Sequence, residues 1–208
     1  MPVHKHKLAP PIRKAGRTEH VIVEAPLTGR DLTAIRKYRH ETTLTLRRIQ
    51  AESLEFISDW AGLRSLRLYG CKIRDCSALA RFKRLEHLFI NTIRARAPDL
   101  SFLSQLRPLK DLGIGHIPHL TTFPDMSRCT RLKRLSIFSC KRLTDLSAIL
   151  HIPNLESFHI LLTPQGPADL EPIMALPRMK FMTGQFGSSK RNALFRELLE
   201  KHGVVDGV

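Results

Sequence analysis

LKRLSIFSCKRLTDLSAILHIPN, residues 132–154, combines two kinds of structural signal in one short segment. Leu135 and Ile137 are separated by one residue, which is the period of a β-strand whose two side chains point to one face. Asp145 and Ser147 follow, and both residue types favour turns and helix starts. The segment therefore predicts one strand followed by a short helix or 3₁₀ turn.

The same pattern recurs along the chain at a nearly constant period. Successive copies lie 22–24 residues apart and start at Leu63, Leu85, Leu109, Leu132, Leu155 and Met179. Weaker copies extend the pattern back to about His20, so the repeat register predicts eight strands. One short strand cannot bury its apolar face alone, and we therefore expect stacked copies to close a shared core.

The segments LRSLRLYGCKI (63–73) and LKRLSIFSCKRL (132–143) resemble the leucine-rich repeat consensus L-x-x-L-x-L-x-x-N/C-x-L. Together with the 22–24-residue period, they resemble the bacterial, internalin-like class of these proteins. The resemblance implies an α/β solenoid, or horseshoe, with a parallel sheet on its concave side, short helices or 3₁₀ turns on its convex side, and capping helices at both ends. It also implies a protein-recognition scaffold without catalysis.

The repeat register divides the chain into four parts. Residues 1–19 are basic and rich in proline, and we expect a disordered tail there. Residues 20–40 are expected to form an N-terminal cap with a strand and a helix (28–40), and residues 41–187 form the repeats. Residues 188–208 contain a capping helix, which is predicted to begin at a serine and to stop at Gly203, and a short tail.

Composition and motifs exclude several classes of protein. Neither an export signal nor an apolar run long enough to span a membrane is present, which favours a cytoplasmic location, although an effector exported without a signal would look the same. Cys71 and Cys140 occupy a buried turn position of the repeat, so a structural role is expected for them. No catalytic triad, nucleotide fingerprint or set of metal ligands is recognisable, and we expect no enzyme activity, cofactor or metal site.

Residues that flank the inward pair of each strand are expected to face the concave side. Tyr69, Phe89 and Phe138 are not required by the scaffold, and aromatic residues beside arginine are typical anchors of protein interfaces. An alternative is that these rings lean on neighbouring strands and only cover the sheet. The predicted concave contact residues are Arg67, Tyr69, Phe89, Asn91, Arg134, Phe138 and His159.

Basic residues are predicted to line both edges of the sheet, and the chain has a formal net charge of +15. Glu86 and Glu156 interrupt the first of these rims. The rims could steer an acidic partner towards the sheet, or they could be an ordinary solvated surface. The predicted rim residues are Arg64, Arg84, Lys110, Arg131, Lys133 and Lys180 on one edge, and Lys141 and Arg142 on the other.

Two functional hypotheses follow from the sequence. In the first, the chain binds another protein with an acidic surface, and an immunity or inhibitor protein is a special case by analogy. In the second, the basic rims and the N-terminal tail bind nucleic acid. The first is favoured because the aromatic residues are few and no RNA- or DNA-binding motif is present.

Overall fold

The computed structural model of the protein describes residues 12–14, 20–25, 34–92 and 99–207. The strands in these ranges are β1 (Ile12–Lys14), β2 (His20–Glu24), β3 (Thr43–Arg47), β4 (Gln50–Ser53), β5 (Ser65–Tyr69), β6 (Lys72–Asp75), β7 (His87–Asn91), β8 (Asp111–Gly115), β9 (Arg134–Phe138), β10 (Ser157–Leu161), β11 (Phe181–Gln185) and β12 (Val205–Asp206). The α-helices that lie wholly within these ranges are α1 (Glu171–Met174) and α2 (Ser189–His202). The 3₁₀ helices are Arg36–Tyr38, Glu55–Ile57, Ser77–Arg81, Ser101–Gln105, Ser147–His151 and Ala168–Leu170.

The main sheet has ten strands in the order β1-β2-β3-β5-β7-β8-β9-β10-β11-β12. From β2 to β12 neighbouring strands are parallel, and equivalent residues of successive repeats lie opposite each other, as Leu112, Leu135 and Phe158 do. The β4 and β6 strands form a second, two-stranded parallel sheet. This architecture confirms the predicted leucine-rich repeat solenoid, and the eight predicted strands all form.

The core is a stack of apolar layers, one from each repeat. The inward pair of every repeat from β3 to β10 is buried, and so is the leucine or methionine that starts each predicted copy. The turn positions Cys71, Ile117 and Cys140 are also fully buried. The thiols of Cys71 and Cys140 donate to backbone carbonyls, at 3.5 Å to Leu46 and at 3.6 Å to Phe138. An apolar column with weak thiol donors therefore stands where many leucine-rich repeats have asparagine.

The residue after each strand of the repeat has a left-handed backbone conformation. After β3, β5, β7, β8 and β9, its amide donates to the carbonyl at the end of the next strand, with distances of 2.7–3.0 Å. Left-handed geometry suits glycine, and an L-residue there costs about 1–2 kcal/mol. Only one of these positions is glycine; the set is Arg48, Gly70, Thr92, His116, Ser139 and Leu162.

The convex turns form as the Asp-x-Ser signature predicts. In each, an aspartate side chain accepts from the backbone amide of the serine two residues later, at 2.7–2.9 Å. Three of the four serines begin a 3₁₀ helix, whereas Ser127 lies in a plain turn. The pairs are Asp75 and Ser77, Asp99 and Ser101, Asp125 and Ser127, and Asp145 and Ser147.

A helix covers the C-terminal end of the solenoid. The α2 helix begins after Ser188, whose hydroxyl accepts from the Arg191 amide, and it stops at Gly203 with φ 65°, as predicted. Phe195 is one of the α2 residues that bury the last repeat. Of the predicted N-terminal helix (28–40), residues 28–33 lie outside the described ranges, and Ile35 is fully buried.

The N-terminal edge differs from the sequence prediction. Ile12–Lys14 lie in the stretch 1–19 that we expected to be disordered, yet they form β1, which pairs antiparallel with β2. Lys14 makes an ion pair with the buried Glu41, which holds this strand to the first repeat. The prediction of a disordered tail is therefore wrong for these three residues, and the rest of 1–19 lies outside the described ranges.

No helix in the described part of the chain is both long and apolar enough to cross a membrane.

We predict that Leu162→Gly stabilises the fold. Leu162 has φ 55° and its side chain is 69% exposed, so glycine relieves backbone strain and removes little packing. The free energy of unfolding should rise by about 1 kcal/mol in denaturant titrations. Leu162→Ala is the control, since alanine keeps the Cβ atom, and an equal gain from alanine would contradict the explanation.

Candidate functional site

The concave face is built by the outward-facing residues of the main sheet. Because the strands pair in register, these residues form three rows that run across the sheet. All seven predicted concave contact residues lie in these rows, and none of them is fully buried. The repeat register therefore placed them on the correct face, although it did not indicate which of them would touch.

Three aromatic rings form a continuous row on this face. The ring centroids of Tyr69 and Phe89 are 5.4 Å apart, and those of Phe89 and Phe138 are 5.7 Å apart with nearly parallel planes. His116 extends the row, with its ring edge-on to Phe138 at 5.5 Å. At the other end, the guanidinium carbon of Arg47 lies 5.9 Å from the Tyr69 ring centroid. Rings at such distances attract one another beyond simple burial.

Two glycines explain how the row crosses β8. Phe89 and Phe138 lie on β7 and β9, and at two of its three outward positions β8 presents only Gly113 and Gly115 between them. A Cβ atom on Gly113 would lie 2.5 Å from the Phe89 ring, and one on Gly115 would lie 2.1 Å from the Phe138 ring. The two rings therefore rest on bare backbone. They cover the sheet, as the alternative interpretation held, and they also stay half-exposed.

A shallow cavity of about 470 Å³ opens beside the aromatic row. Near this cavity Arg134 makes an ion pair with the Asp111 carboxylate, and its Nε and one Nη atom both lie 3.1 Å from Oδ2. Nδ1 of His87 lies 3.8 Å from the same oxygen. The positive charge of Arg134 is therefore already paired. The cavity is lined by Ser65, Leu66, Arg67, Tyr69, His87, Leu88, Phe89, Asp111, Gly113 and Ser136.

The remaining predicted contact residues are placed separately. His159 lies towards the C-terminal end of the face, where its Nε2 is 3.0 Å from the Ser157 hydroxyl. Asn91 accepts a hydrogen bond from the adjacent Thr92 hydroxyl at 3.0 Å. Arg67 is exposed and lies towards the N-terminal end. The three predicted aromatic residues therefore contact one another, whereas the predicted polar residues lie around them with other neighbours.

Residues near Arg67 form a group that the repeat pattern does not reveal. His20 lies on β2 with its Nε2 2.9 Å from the Thr45 hydroxyl. Partial burial and then the charges of Arg67, Arg47 and Arg13 lower the pKa of His20. The repeat register had already assigned Arg47 to the concave side, whereas no sequence signal indicated that Arg13 belongs to a strand.

The first rim is a ladder of alternating charge. Glu86 binds Arg64 at 3.4 Å and Lys110 at 2.7 Å, and these three residues occupy equivalent positions in successive repeats. Glu156 binds both neighbours in the same way, with Lys133 at 2.7 Å and Lys180 at 3.0 Å. Two carboxylates thus neutralise part of the rim that the sequence predicted to be basic.

Other rim residues are exposed and make no ion pair with any described residue. They are Arg84 and Arg131 on the first edge, and Lys141 and Arg142 on the second. Lys110, Arg131, Lys133 and Arg178 gather around a shallow cavity of about 420 Å³, next to Glu156. The first rim is therefore most positive near its middle.

The cysteines are placed as core residues, and all four are buried. Burial raises the pKa of the Cys76 thiol to about 12 and that of Cys129 to about 11, and it also raises the pKa values of Cys71 and Cys140. Thiols held in the neutral form are poor nucleophiles and poor metal ligands. Among residues 12–14, 20–25, 34–92 and 99–207, no group of three or more His, Cys, Asp or Glu side chains could hold a metal ion.

Solved structures share this fold. An internalin from Listeria monocytogenes, inlF, superposes with a TM-score of 0.50 and 19% identity, over 76% of this chain and 53% of its own. Internalin C2 of the same species gives a TM-score of 0.44 and 17% identity, over 81% of this chain and 80% of its own. The chain thus spans about half the length of the first internalin. No protein-family model and no curated protein matches the sequence.

We predict that Gly115→Ala displaces the Phe138 ring. The new Cβ atom would overlap the ring, and overpacking of this kind costs about 1–3 kcal/mol of unfolding free energy. A double-mutant cycle with Phe138→Ala, measured in denaturant, should show that Gly115→Ala costs much less when the ring is absent. Additive effects of the two changes would contradict the proposed contact.

We predict that Glu156 titrates far below an ordinary glutamate. Hydrogen bonds from Lys133 and Lys180 lower its pKa to about 2. The ion pairs therefore contribute their full stability above the ordinary carboxyl pKa, and that contribution is lost as the pH falls towards 2. A carbon-detected NMR titration should show this, and Lys133→Met should raise the pKa of Glu156. Lys141→Met is the matched control, and an unshifted Glu156 in the unchanged protein would refute the prediction.

Proposed function

We propose that this chain is a non-catalytic scaffold that binds another protein through its concave face and the basic rims beside it. The observation that carries the proposal is the row of half-exposed rings of Tyr69, Phe89 and Phe138. The repeat scaffold needs only the inward side chains of each strand, so nothing in the core requires aromatic residues at these positions. Large rigid rings with one free face are efficient anchors because little conformational entropy is lost when they are covered.

The size of the face constrains the partner. Ten strands at about 4.8 Å spacing, each exposing roughly 12 Å of width, offer about 500 Å² of concave sheet. A standard interface uses about 800 Å² from each partner. A specific partner would therefore contact the rims as well as the sheet, which places the exposed cations Arg131 and Arg142 inside the contact area.

The charges support an acidic partner. On the concave face the described acids Glu24 and Asp111 are already engaged, by Arg48 at 2.9 Å and by Arg134 at 3.1 Å. Unpaired cations remain on the face and on both rims, and the chain as a whole carries +15. Such a surface accelerates encounter with an acidic protein, and the acceleration weakens with added salt. An immunity or inhibitor protein for an acidic target is a special case of this proposal, and a cytoplasmic location stays a prediction.

Nucleic-acid binding is the second candidate. The cluster of Lys110, Arg131, Lys133 and Arg178 around one rim cavity favours it. Against it, Glu86 and Glu156 lie in the same rim and would repel phosphates. The concave face offers a packed row of rings rather than separate rings on which successive bases could stack.

We predict that Ser136→Arg prevents partner capture. Ser136 is half-buried, contributes to the cavity beside the aromatic row and is not part of the core, so arginine adds bulk there without reversing the local charge. Affinity capture and mass spectrometry with the full chain should yield a protein that the unchanged chain retains at high salt and that Ser136→Arg loses. Denaturant unfolding of the variant checks that it is folded.

Two outcomes would contradict the proposal. If Ser136→Arg captures the same protein as the unchanged chain, the concave face is not the binding surface. If Lys133→Glu with Arg131→Glu abolishes binding, and the bound material is nucleic acid released by moderate salt, the second candidate is correct. Lys190→Glu with Arg196→Glu, at two exposed positions of α2, is the control because it changes the net charge by the same amount.

A further inference from the structure

The N-terminal end of the concave face carries three arginines that the aromatic stack does not neutralise. Arg13, Arg47 and Arg67 come from β1, β3 and β5. None of the three makes an ion pair with another residue in the described part of the chain. By contrast, Arg134 towards the other end of the face is held by Asp111 at 3.1 Å. Free positive charge on this face is therefore concentrated at one end.

Strand register brings the three arginines onto one small area. Arg13 lies opposite Ile22, Ile22 opposite Thr45, and Thr45 opposite Arg67. The backbones of Arg13 and Arg67 are therefore three strand spacings apart, which is roughly 14 Å. Arg47 lies between them on β3, two residues beyond Thr45. Because arginine side chains are long and flexible, all three guanidinium groups can contact one ligand group that lies over β3.

The surroundings of His20 agree with this convergence. Its imidazole is partly buried and in contact with the Thr45 hydroxyl at 2.9 Å. Besides burial, the charges of Arg67, Arg47 and Arg13 all lower the pKa of His20. Guanidinium groups from three strands thus affect the pKa of one side chain, so all three contribute to the positive potential around His20.

We propose that Arg13, Arg47 and Arg67 bind carboxylate side chains of an acidic segment of the partner protein. The apolar side chains that follow in the same segment then lie on the row of Tyr69, Phe89 and Phe138. This inference rests on the proposed function and adds the chemistry and the direction of the segment that is bound.

The dimensions of the face give the segment a length. From β2 to β9 there are five strand spacings, about 24 Å, and an extended chain rises about 3.3 Å per residue. About seven residues therefore cross the strands, with acidic residues over β2 to β5 and apolar residues over β5 to β9. Guanidinium groups suit carboxylates because they can form paired, charge-assisted hydrogen bonds.

A nucleic acid fits this face less well than an acidic peptide. Its charge is uniform along the strand, whereas the free cations of the face stop at β5 and the aromatic row begins there. A strand of phosphates that crosses the sheet would pass from the arginines onto a region where Asp111 already pairs with Arg134. A peptide segment that is acidic at one end and apolar at the other complements both the arginine end of the face and its aromatic row.

The test uses the full chain and a fluorescein-labelled seven-residue peptide, with three glutamates followed by phenylalanine and leucine residues. Fluorescence anisotropy should show binding of this peptide and weaker binding of a peptide with the same residues in scrambled order. Arg47→Gln combined with Arg67→Gln should weaken binding about tenfold or more, since two charge-assisted contacts are lost. Both arginines are exposed, so the double variant should keep its unfolding midpoint. Lys190→Gln combined with Arg196→Gln on α2 removes the same two charges and should bind as the unchanged chain does.

Three results would overturn the inference. They are unchanged peptide affinity in the Arg47→Gln and Arg67→Gln double variant, an equal loss in the Lys190→Gln and Arg196→Gln double variant, and binding of a single-stranded oligonucleotide of equal charge that is as tight and as sensitive to Arg67. The proposed function is tested separately. If the double variant keeps the peptide while Ser136→Arg loses the captured protein, the inference fails and the proposed function stands. If Ser136→Arg keeps the captured protein, the proposed function fails.

Discussion

In-register parallel pairing of strands is the constraint on which the rest of this molecule depends. Each repeat from β3 to β10 brings two inward apolar side chains, and these are shielded only because the next repeat places an equivalent pair beside them. The same pairing aligns outward residues into rows, so the register that builds the core also arranges the concave surface. A change in repeat length that shifted one strand by a residue would exchange the two faces of that strand.

The packing of the aromatic rings on the concave surface depends on the absence of two side chains from β8. With Gly113 and Gly115 at two of its three outward positions, this strand leaves a strip of bare backbone on which the rings of Phe89 and Phe138 lie. The aromatic row is therefore not a set of free side chains but a layer that the sheet holds at fixed height and angle. Preorganised rings lose little freedom on binding, and this is what an anchor surface requires.

The fold could be predicted from the sequence because its signals are local and repeated. The spacing of Leu135 and Ile137, the Asp-x-Ser turns and the Ser188 and Gly203 caps each specify a short-range structure, and the structure has all of them. Side-chain partners depend on contacts between repeats, which the register alone does not give. The pairing of Glu156 with two lysines and the placement of β1 required three-dimensional neighbours, since no residue of Ile12–Lys14 follows the repeat pattern.

The antiparallel β1 strand has a consequence for how such an array can change in size. At the N-terminal edge, the next hydrogen-bonding positions belong to a three-residue strand that runs against the direction of every repeat, and at the other edge β12 has only two residues. The edge that β1 presents therefore lacks the regular hydrogen-bond spacing of parallel strands. Duplication or deletion of a repeat in the interior of the array would lengthen or shorten the distance between the arginine end and the C-terminal end of the concave face.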